Sequence, residues 1–189
     1  MKKISSLLVI LLLVSCASTK DKDQDPSPAL QEIINKRSFS IHSKEAEPQM
    51  TTSMMRLSNM GFMQANNVGG IVDIRGNHNF FTFKNDSIIA SLPYYGERQL
   101  SQGYNNIDKG ITLKGIPEDL EITQDGSAYN MRFTINDANA KGEHYEVMVR
   151  LSSKLSSFID IRSSHRLQIR YRGRVISEEQ LQKMYAGTK

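Results

Sequence analysis

Three stretches in the carboxyl-terminal half of the chain alternate apolar and polar residues with a period of two. They cover residues 129–135, 145–151 and 167–175. Successive side chains of a β-strand point to opposite faces, so this pattern predicts strands with one buried face and one wet face. Short turns join the stretches and no helical pattern lies between them, which predicts antiparallel pairing. We therefore expect a mainly β body: a strongly curled antiparallel sheet, an open barrel or a sandwich.

A further predicted strand, within residues 87–96 (SIIASLPYYG), runs into a proline and two adjacent tyrosines. The aromatic strand before it, residues 79–83, is joined to it through Asn85 and Asp86, and such a pair predicts a hairpin turn. Pro93 lacks the N–H donor that a central strand needs, so the strand is expected to end there or to lie on an edge of the sheet. A polar loop over residues 97–109 follows.

Short helices are predicted at both ends of the mature body. Ser27 can cap a helix whose first turn contains Pro28. At the other end, Ser177 and Gln180 have the spacing of a capping box before a closing helix.

Five of the nine methionines fall within residues 50–63. Methionine adapts to irregular surfaces. We expect a loosely patterned strand that fills gaps in the core here, with a flexible ligand groove as the alternative.

The amino terminus has the pattern of an exported lipoprotein. A positively charged start precedes eleven apolar-rich residues, 4–14, fewer than the roughly 20 that span a bilayer. The run ends in Leu13-Val14-Ser15-Cys16, which resembles the bacterial lipobox, and Cys16 is the one cysteine of the chain. The resemblance implies cleavage before Cys16 and acylation of its thiol by a fatty acid such as palmitate. A plain signal peptide is the alternative.

Three segments are therefore expected. Residues 1–15 form a lipoprotein signal peptide, residues 16–27 the lipidated cysteine and a flexible tether, and residues 28–189 a single globular β-rich domain. The tether is small, charged and free of large apolar side chains. We expect the protein in the cell envelope of a Gram-negative bacterium, held by lipid at the outer membrane, on the periplasmic or the surface side.

Three further segments resemble a known family. Residues 92–96 (LPYYG) resemble an LPYFG segment, residues 110–113 (GITL) a glycine-led strand, and residues 166–173 (RLQIRYRG) a closing R-x-x-I-x-Y-x-G strand. Tyr95 departs from the usual Phe. The family consists of small lipoproteins common in Bacteroidetes and is catalogued only as a domain of unknown function. The resemblance covers residues 39–175, and it implies a single envelope domain with no assigned chemistry.

The loop after Pro93 is a candidate binding surface. It carries Tyr94, Tyr95, Arg98 and Tyr104, and tyrosine and arginine often anchor recognition, including stacking on sugars. In the alternative interpretation one of the adjacent tyrosines packs inside and the other covers the rim.

A second candidate is an arginine stripe. Arg166, Arg170, Arg172 and Arg174 fall on one face of one predicted strand, about 6.6 Å or a multiple of it apart. Such a stripe can meet a polyanion such as lipopolysaccharide, or an acidic glycan. The alternatives are a solvated face with cross-strand ion pairs, for example to Glu146, or an edge strand that charge protects from aggregation.

The sequence has no signature of catalysis or of metal binding. The four histidines are scattered, without a cysteine partner or i, i+4 spacing. No nucleophile elbow, P-loop or dinucleotide fingerprint occurs, and the formal net charge of +4 is too small to argue for nucleic acid. We expect no metal, no cofactor and no nucleic-acid partner.

The function expected from these signals is a non-catalytic binding or structural module. Its partners would be the membrane, reached through the lipid anchor, and a glycan, a lipid or an envelope protein. The alternative is an envelope hydrolase acting on glycan or peptidoglycan, whose two carboxylates meet only in the folded chain.

Overall fold

A computed structural model describes residues 25–60, 70–100, 110–138 and 142–186. Its helices are α1 (Pro28–Asn35), α2 (Thr52–Asn59) and α3 (Glu178–Ala186). Its strands are β1 (Ser38–Pro48), β2 (Val72–Asp73), β3 (Phe80–Lys84), β4 (Ser87–Leu92), β5 (Ile111–Gly115), β6 (Glu118–Asp125), β7 (Ala128–Asn136), β8 (His144–Ser152), β9 (Ser156–Ser163) and β10 (Ile169–Ile176).

The strands of the described ranges form one antiparallel sheet, so the mainly β prediction is confirmed. Their order is β5-β4-β3-β1-β10-β9-β8-β7-β6, and the short β2 pairs with β1. The sheet curls into a half-barrel. Near its open side, Leu113 of β5 bridges to Asp137 just after β7, and the Ala138 N–H donates to the Thr112 carbonyl over 3.0 Å. A single curled sheet is formed, and not a two-sheet sandwich.

The core lies on the inner face of this sheet. Most apolar residues of the alternating patterns point there and form one buried cluster, against which Tyr129 and Val175 pack half-buried. The ring of Phe81 on β3 lies 6.2 Å from that of Phe133 on β7, although four strands separate β3 and β7 in the sheet. This contact requires the sheet to curl round its core. Leu30 of α1 is fully buried in the same cluster, so α1 packs against the body as its apolar spacing predicts.

The predicted hairpin and strand end are both confirmed. Asn85 and Asp86 join β3 to β4 with positive φ angles of 52° and 57°, the conformation of a type I′ hairpin turn. Strand β4 ends at Leu92, immediately before Pro93. The capping box of α3 is also present, because the Gln180 N–H donates to the Ser177 Oγ over 3.1 Å and the Ser177 N–H donates to the Gln180 Oε1 over 3.0 Å.

The strand expected in the methionine-rich segment is wrong. Residues 52–59 form helix α2. The Thr51 Oγ1 accepts a hydrogen bond of 3.2 Å from the Met54 N–H, so a threonine N-cap starts the helix. Met54 is buried, whereas Met55 and Met60 are exposed. Across the described ranges, the helices are too short or too polar to cross a bilayer.

Candidate functional site

Two of the segments that resemble a known family touch each other at one end of the half-barrel. The Tyr171 hydroxyl, from RLQIRYRG, donates to the Pro93 carbonyl of LPYYG over 2.8 Å. In return, the Tyr94 hydroxyl of LPYYG lies 3.0 Å from the Leu167 carbonyl. Segments more than 70 residues apart in the sequence are therefore tied by reciprocal hydrogen bonds.

Glycines in two of the three family-like segments, Gly173 of RLQIRYRG and Gly110 of GITL, allow close backbone approach. A Cβ atom added at Gly173 would lie closer than 3.0 Å to the backbone of His42 and Ser43, where β1 has a register shift. At Gly110, with φ of 82°, an added Cβ would collide with the Leu92 carbonyl. Because backbone atoms cannot move aside as a flexible side chain does, glycine is required at both places by packing.

A buried ionic network lies under the same segments. The Glu143 carboxylate is 1% exposed and binds Arg166, which is 3% exposed, with 2.8 Å between Oε1 and Nε. Arg98 Nη2 lies 2.9 Å from the other oxygen, and the Ser163 hydroxyl donates to Oε1 over 2.7 Å. The Arg166 guanidinium lies 5.1 Å from the ring centre of Tyr94, within the range of a cation–π contact. We call these five residues the motif cluster.

The motif cluster holds Glu143 in its charged form. Burial alone would raise the pKa of this carboxyl. The hydrogen bonds from Arg166 and Ser163, together with the charges of Arg166 and Arg98, outweigh burial and lower the pKa from 4.5 to about 2. Glu143 was not identified from the sequence, and a lone glutamate in a loop gives no signal from which it could have been.

The structure places the four loop candidates in different settings. The ring of Tyr94 contacts Arg166 and the guanidinium of Arg98 binds Glu143, both in the motif cluster. The Tyr94 hydroxyl lies 2.8 Å from the Glu97 carbonyl. Tyr95 is half-buried; its hydroxyl accepts a hydrogen bond of 2.6 Å from Asn77, and burial raises its pKa. Tyr104 lies outside the described residues. Recognition by this loop stays a prediction.

Arg166 does not belong to the predicted arginine stripe. Arg166 precedes β10, which begins at Ile169, and it is buried with Glu143. The alternating pattern continues through Leu167, but the chain there leaves the sheet and bridges to Arg98. The alternative of an edge strand is also wrong, because β10 pairs with β1 on one side and β9 on the other.

Neighbouring strands add arginines that the sequence pattern alone did not group with the stripe. In register, Arg150 of β8 lies opposite Phe158 of β9, which lies opposite Arg172 of β10. One step along, Met148 of β8 lies opposite Asp160 of β9. The polar side of the sheet thereby gathers Arg132, Arg150, Arg162, Arg170, Arg172 and Arg174. We call this set the arginine face; half-buried Met148 and Phe158 lie between its members.

The arginines of this face differ in their partners. Arg170 Nε lies 3.1 Å from the Asp160 carboxylate, and Arg172 Nη2 lies 2.8 Å from that of Glu47. Arg150 pairs with Asp125, whose pKa this contact lowers. Arg132, Arg162 and Arg174 form no salt bridge within the described part of the chain.

Two clefts open on the arginine face. The first has a volume of about 360 Å³ and is lined by Glu47, Met50, Ile71, Gln168, Arg170 and Arg172, among others. The second has a volume of about 380 Å³ and is lined by Arg132, Thr134, Glu146, Met148, Asp160 and Arg162, among others. Both volumes are in the range of small-molecule sites. Among the described residues no group of His, Cys, Asp and Glu is arranged to hold a metal ion.

A family model described as a domain of unknown function (DUF4251) matches residues 21–175. The chain belongs to this family. The matched range contains the motif cluster and the whole arginine face, so both are parts of the family domain. No curated protein and no solved structure matches the chain.

Proposed function

We propose that this protein is a lipid-anchored module of the bacterial cell envelope that binds a glycan on its arginine face and catalyses no reaction. The anchor is Cys16, and the location is the outer membrane of a Gram-negative bacterium, as in the Bacteroidetes lipoproteins that the sequence resembles. Several acyl chains give stable attachment, whereas a single chain binds a bilayer only marginally. The charged tether keeps the domain close to that membrane.

The observation that carries the binding proposal is the composition of the arginine face. Guanidinium groups donate hydrogen bonds, and the interspersed carboxylates accept them, as a hydroxyl-rich sugar requires. Half-buried Phe158 and Met148 supply apolar surface for the faces of sugar rings. Two adjoining clefts give this surface the concave shape that binding sites usually have.

The carboxyl groups favour binding over hydrolysis. A glycosidase needs a carboxylic acid whose raised pKa lets it donate a proton. Among the described carboxyl groups, those whose pKa is clearly displaced all have a lowered pKa, because basic side chains hydrogen-bond to them. These carboxyl groups are Glu32, Asp73, Asp125 and Glu143. In Glu143 these hydrogen bonds outweigh burial, which alone would raise the pKa.

The anchor is tested by metabolic labelling with a fatty acid and by membrane fractionation. Label is expected in the wild type and not in Cys16→Ser, and the wild type alone should sediment with outer membranes. Equal labelling of the two proteins, or release of the wild type in soluble form, would contradict the anchor.

Glycan binding is tested by calorimetric titration with lipopolysaccharide and with neutral and acidic oligosaccharides. The double variant Arg132→Gln/Arg162→Gln should weaken binding at least tenfold, ~1.4 kcal/mol. The matched control is Arg37→Gln, which removes an exposed arginine paired with Asp86 away from this face. The proposal fails if no glycan binds, or if the control weakens binding as much as the double variant does.

A further inference from the structure

The linings of the two clefts on the arginine face are joined by hydrogen bonds to one carboxylate. Asp160 lines the second cleft, and its carboxylate accepts hydrogen bonds of 2.7 and 2.6 Å from Gln168 and one of 3.1 Å from Arg170. Gln168 and Arg170 both line the first cleft. Because Asp160 is only 9% exposed, it lies low at the boundary between the two clefts.

The strand register gives the direction of the combined groove. Arg132, Met148, Asp160, Arg170 and Glu47 follow one another in a row across β7, β8, β9, β10 and β1. Neighbouring strands lie about 4.8 Å apart, so the row extends about 19 Å. The groove therefore crosses the strands and is longer than a single sugar.

The geometry points to one groove that binds a linear acidic glycan whose carboxylates are spaced along the chain. We propose that one carboxylate binds Arg170 and Arg172 in the first cleft and that another binds Arg132 and Arg162 in the second. Arginine is suited to this role because its planar fork holds a carboxylate through two hydrogen bonds. This inference rests on the proposed function and specifies its ligand.

The charges of the face select a sparsely charged ligand over a dense polyanion. Acidic residues lie directly opposite its arginines in the register: Glu45, Glu47, Glu121, Glu146 and Asp160. A ligand with a negative group at every unit would bring like charges together. Sugar hydroxyls placed between carboxylates would instead donate hydrogen bonds to these acids.

The arginines at the two ends of the groove differ in whether they already pair with a carboxylate of the protein. Arg170 and Arg172 keep 49% and 56% of their side chains exposed while they contact Asp160 and Glu47. Arg132 and Arg162, at the second cleft, form no salt bridge within the described ranges. A ligand that reaches both ends gains a second carboxylate contact at little further cost in freedom of motion.

The experiment is a calorimetric titration of the purified chain in detergent micelles with hyaluronan oligosaccharides of increasing length, in which a glucuronate alternates with a neutral sugar. Affinity should rise at least tenfold from the disaccharide to the hexasaccharide, because only the longer chain reaches both clefts. Arg162→Gln and Arg172→Gln should each weaken hexasaccharide binding at least fivefold, and Arg37→Gln should leave it unchanged. The methyl-esterified hexasaccharide, similar in shape but uncharged, should bind at least tenfold more weakly.

The outcomes separate this inference from the proposed function. Equal affinity for the disaccharide and the hexasaccharide, or a loss confined to one of the two clefts, would overturn the single groove and leave glycan binding intact. Binding of neutral oligosaccharides, lipopolysaccharide or an acidic peptide, but of no hyaluronan oligosaccharide, would overturn the ligand class. If no glycan of any class binds, the proposed function fails together with this inference.

Discussion

Arginine occurs in two regions of this protein in opposite settings. In the motif cluster, Arg166 is 3% exposed and its partner Glu143 is 1% exposed. On the arginine face, Arg170 and Arg172 are about half exposed although each contacts a carboxylate. The first pair joins chain segments at one end of the half-barrel, and the others lie on a regular sheet beside open clefts.

The difference shows that residue type alone does not identify a binding residue. A buried ion pair is committed to its partner, because removal of either group leaves the other charged and away from water. An exposed pair contributes at most about 1 kcal/mol, so its guanidinium can exchange the internal carboxylate for that of a ligand. Solvent access and the strength of the existing contact therefore decide which arginines can bind.

The largest effect is expected from breaking the buried pair. Glu143→Gln removes the charge that Arg166 and Arg98 share, so it should lower the free energy of unfolding by about 3–5 kcal/mol. Urea denaturation followed by circular dichroism measures this loss. The control Glu146→Gln changes an exposed acid on the arginine face, and its effect should stay within about 0.5 kcal/mol. Equal losses of unfolding free energy in the two variants would show that the buried ion pair of the motif cluster does not stabilise the fold.

The same charge should make stability depend on pH. The pKa of Glu143 is about 2 in the folded protein, against an ordinary value of 4.5. Its contribution is therefore complete above about pH 4.5 and is lost as the pH falls toward 2, because the unfolded chain takes up the proton first. The stability difference between the wild type and Glu143→Gln should shrink over this interval. A difference that stays constant down to pH 2 would contradict the lowered pKa.

A close backbone approach next to the motif cluster can be tested by adding one methyl group. Gly173→Ala places a Cβ against the backbone of His42 and Ser43, so it should cost about 1–3 kcal/mol in unfolding free energy. At Gly76 an added Cβ would meet nothing within 4 Å, so Gly76→Ala should leave stability unchanged or raise it by up to about 1 kcal/mol. Thermal denaturation of both variants gives the comparison. Similar melting temperatures would show that β1 and β10 move apart at little cost.

Much of the fold could be predicted because local patterns decide it. Alternation in β7, β8 and β10 identified their buried faces, and Asn85-Asp86 identified the hairpin. Helix α2 differs from the prediction because the methionines of this segment favour an adaptable strand, whereas the cap that starts the helix is the side chain of Thr51. The curl of the sheet into a half-barrel depends on the β5–β7 contact, which joins distant parts of the sequence and leaves no local pattern.

The site was less predictable, since it depends on strand register. The alternating pattern of residues 167–175 correctly placed Arg170, Arg172 and Arg174 on one face, but it could not show that the chain at Arg166 lies outside the sheet. Arg162 joins the face through the pairing of β9 with β10, and Arg132 through the pairings of β7 with β8 and of β8 with β9. Such neighbours can be named only after the order of the strands is known.

The smallest effect on stability is expected on the arginine face, where function should change most. Arg172→Gln removes a guanidinium that is 56% exposed, although its partner Glu47 is only 18% exposed, so unfolding free energy should fall by about 1 kcal/mol. The same change should weaken binding of acidic oligosaccharides at least fivefold, because a neutral amide cannot pair with a carboxylate as a guanidinium does. Denaturation and calorimetric titration of one preparation measure both quantities. If Arg172→Gln instead destabilises the protein as strongly as Glu143→Gln, its pair with Glu47 is structural too, and the contrast between the two regions disappears.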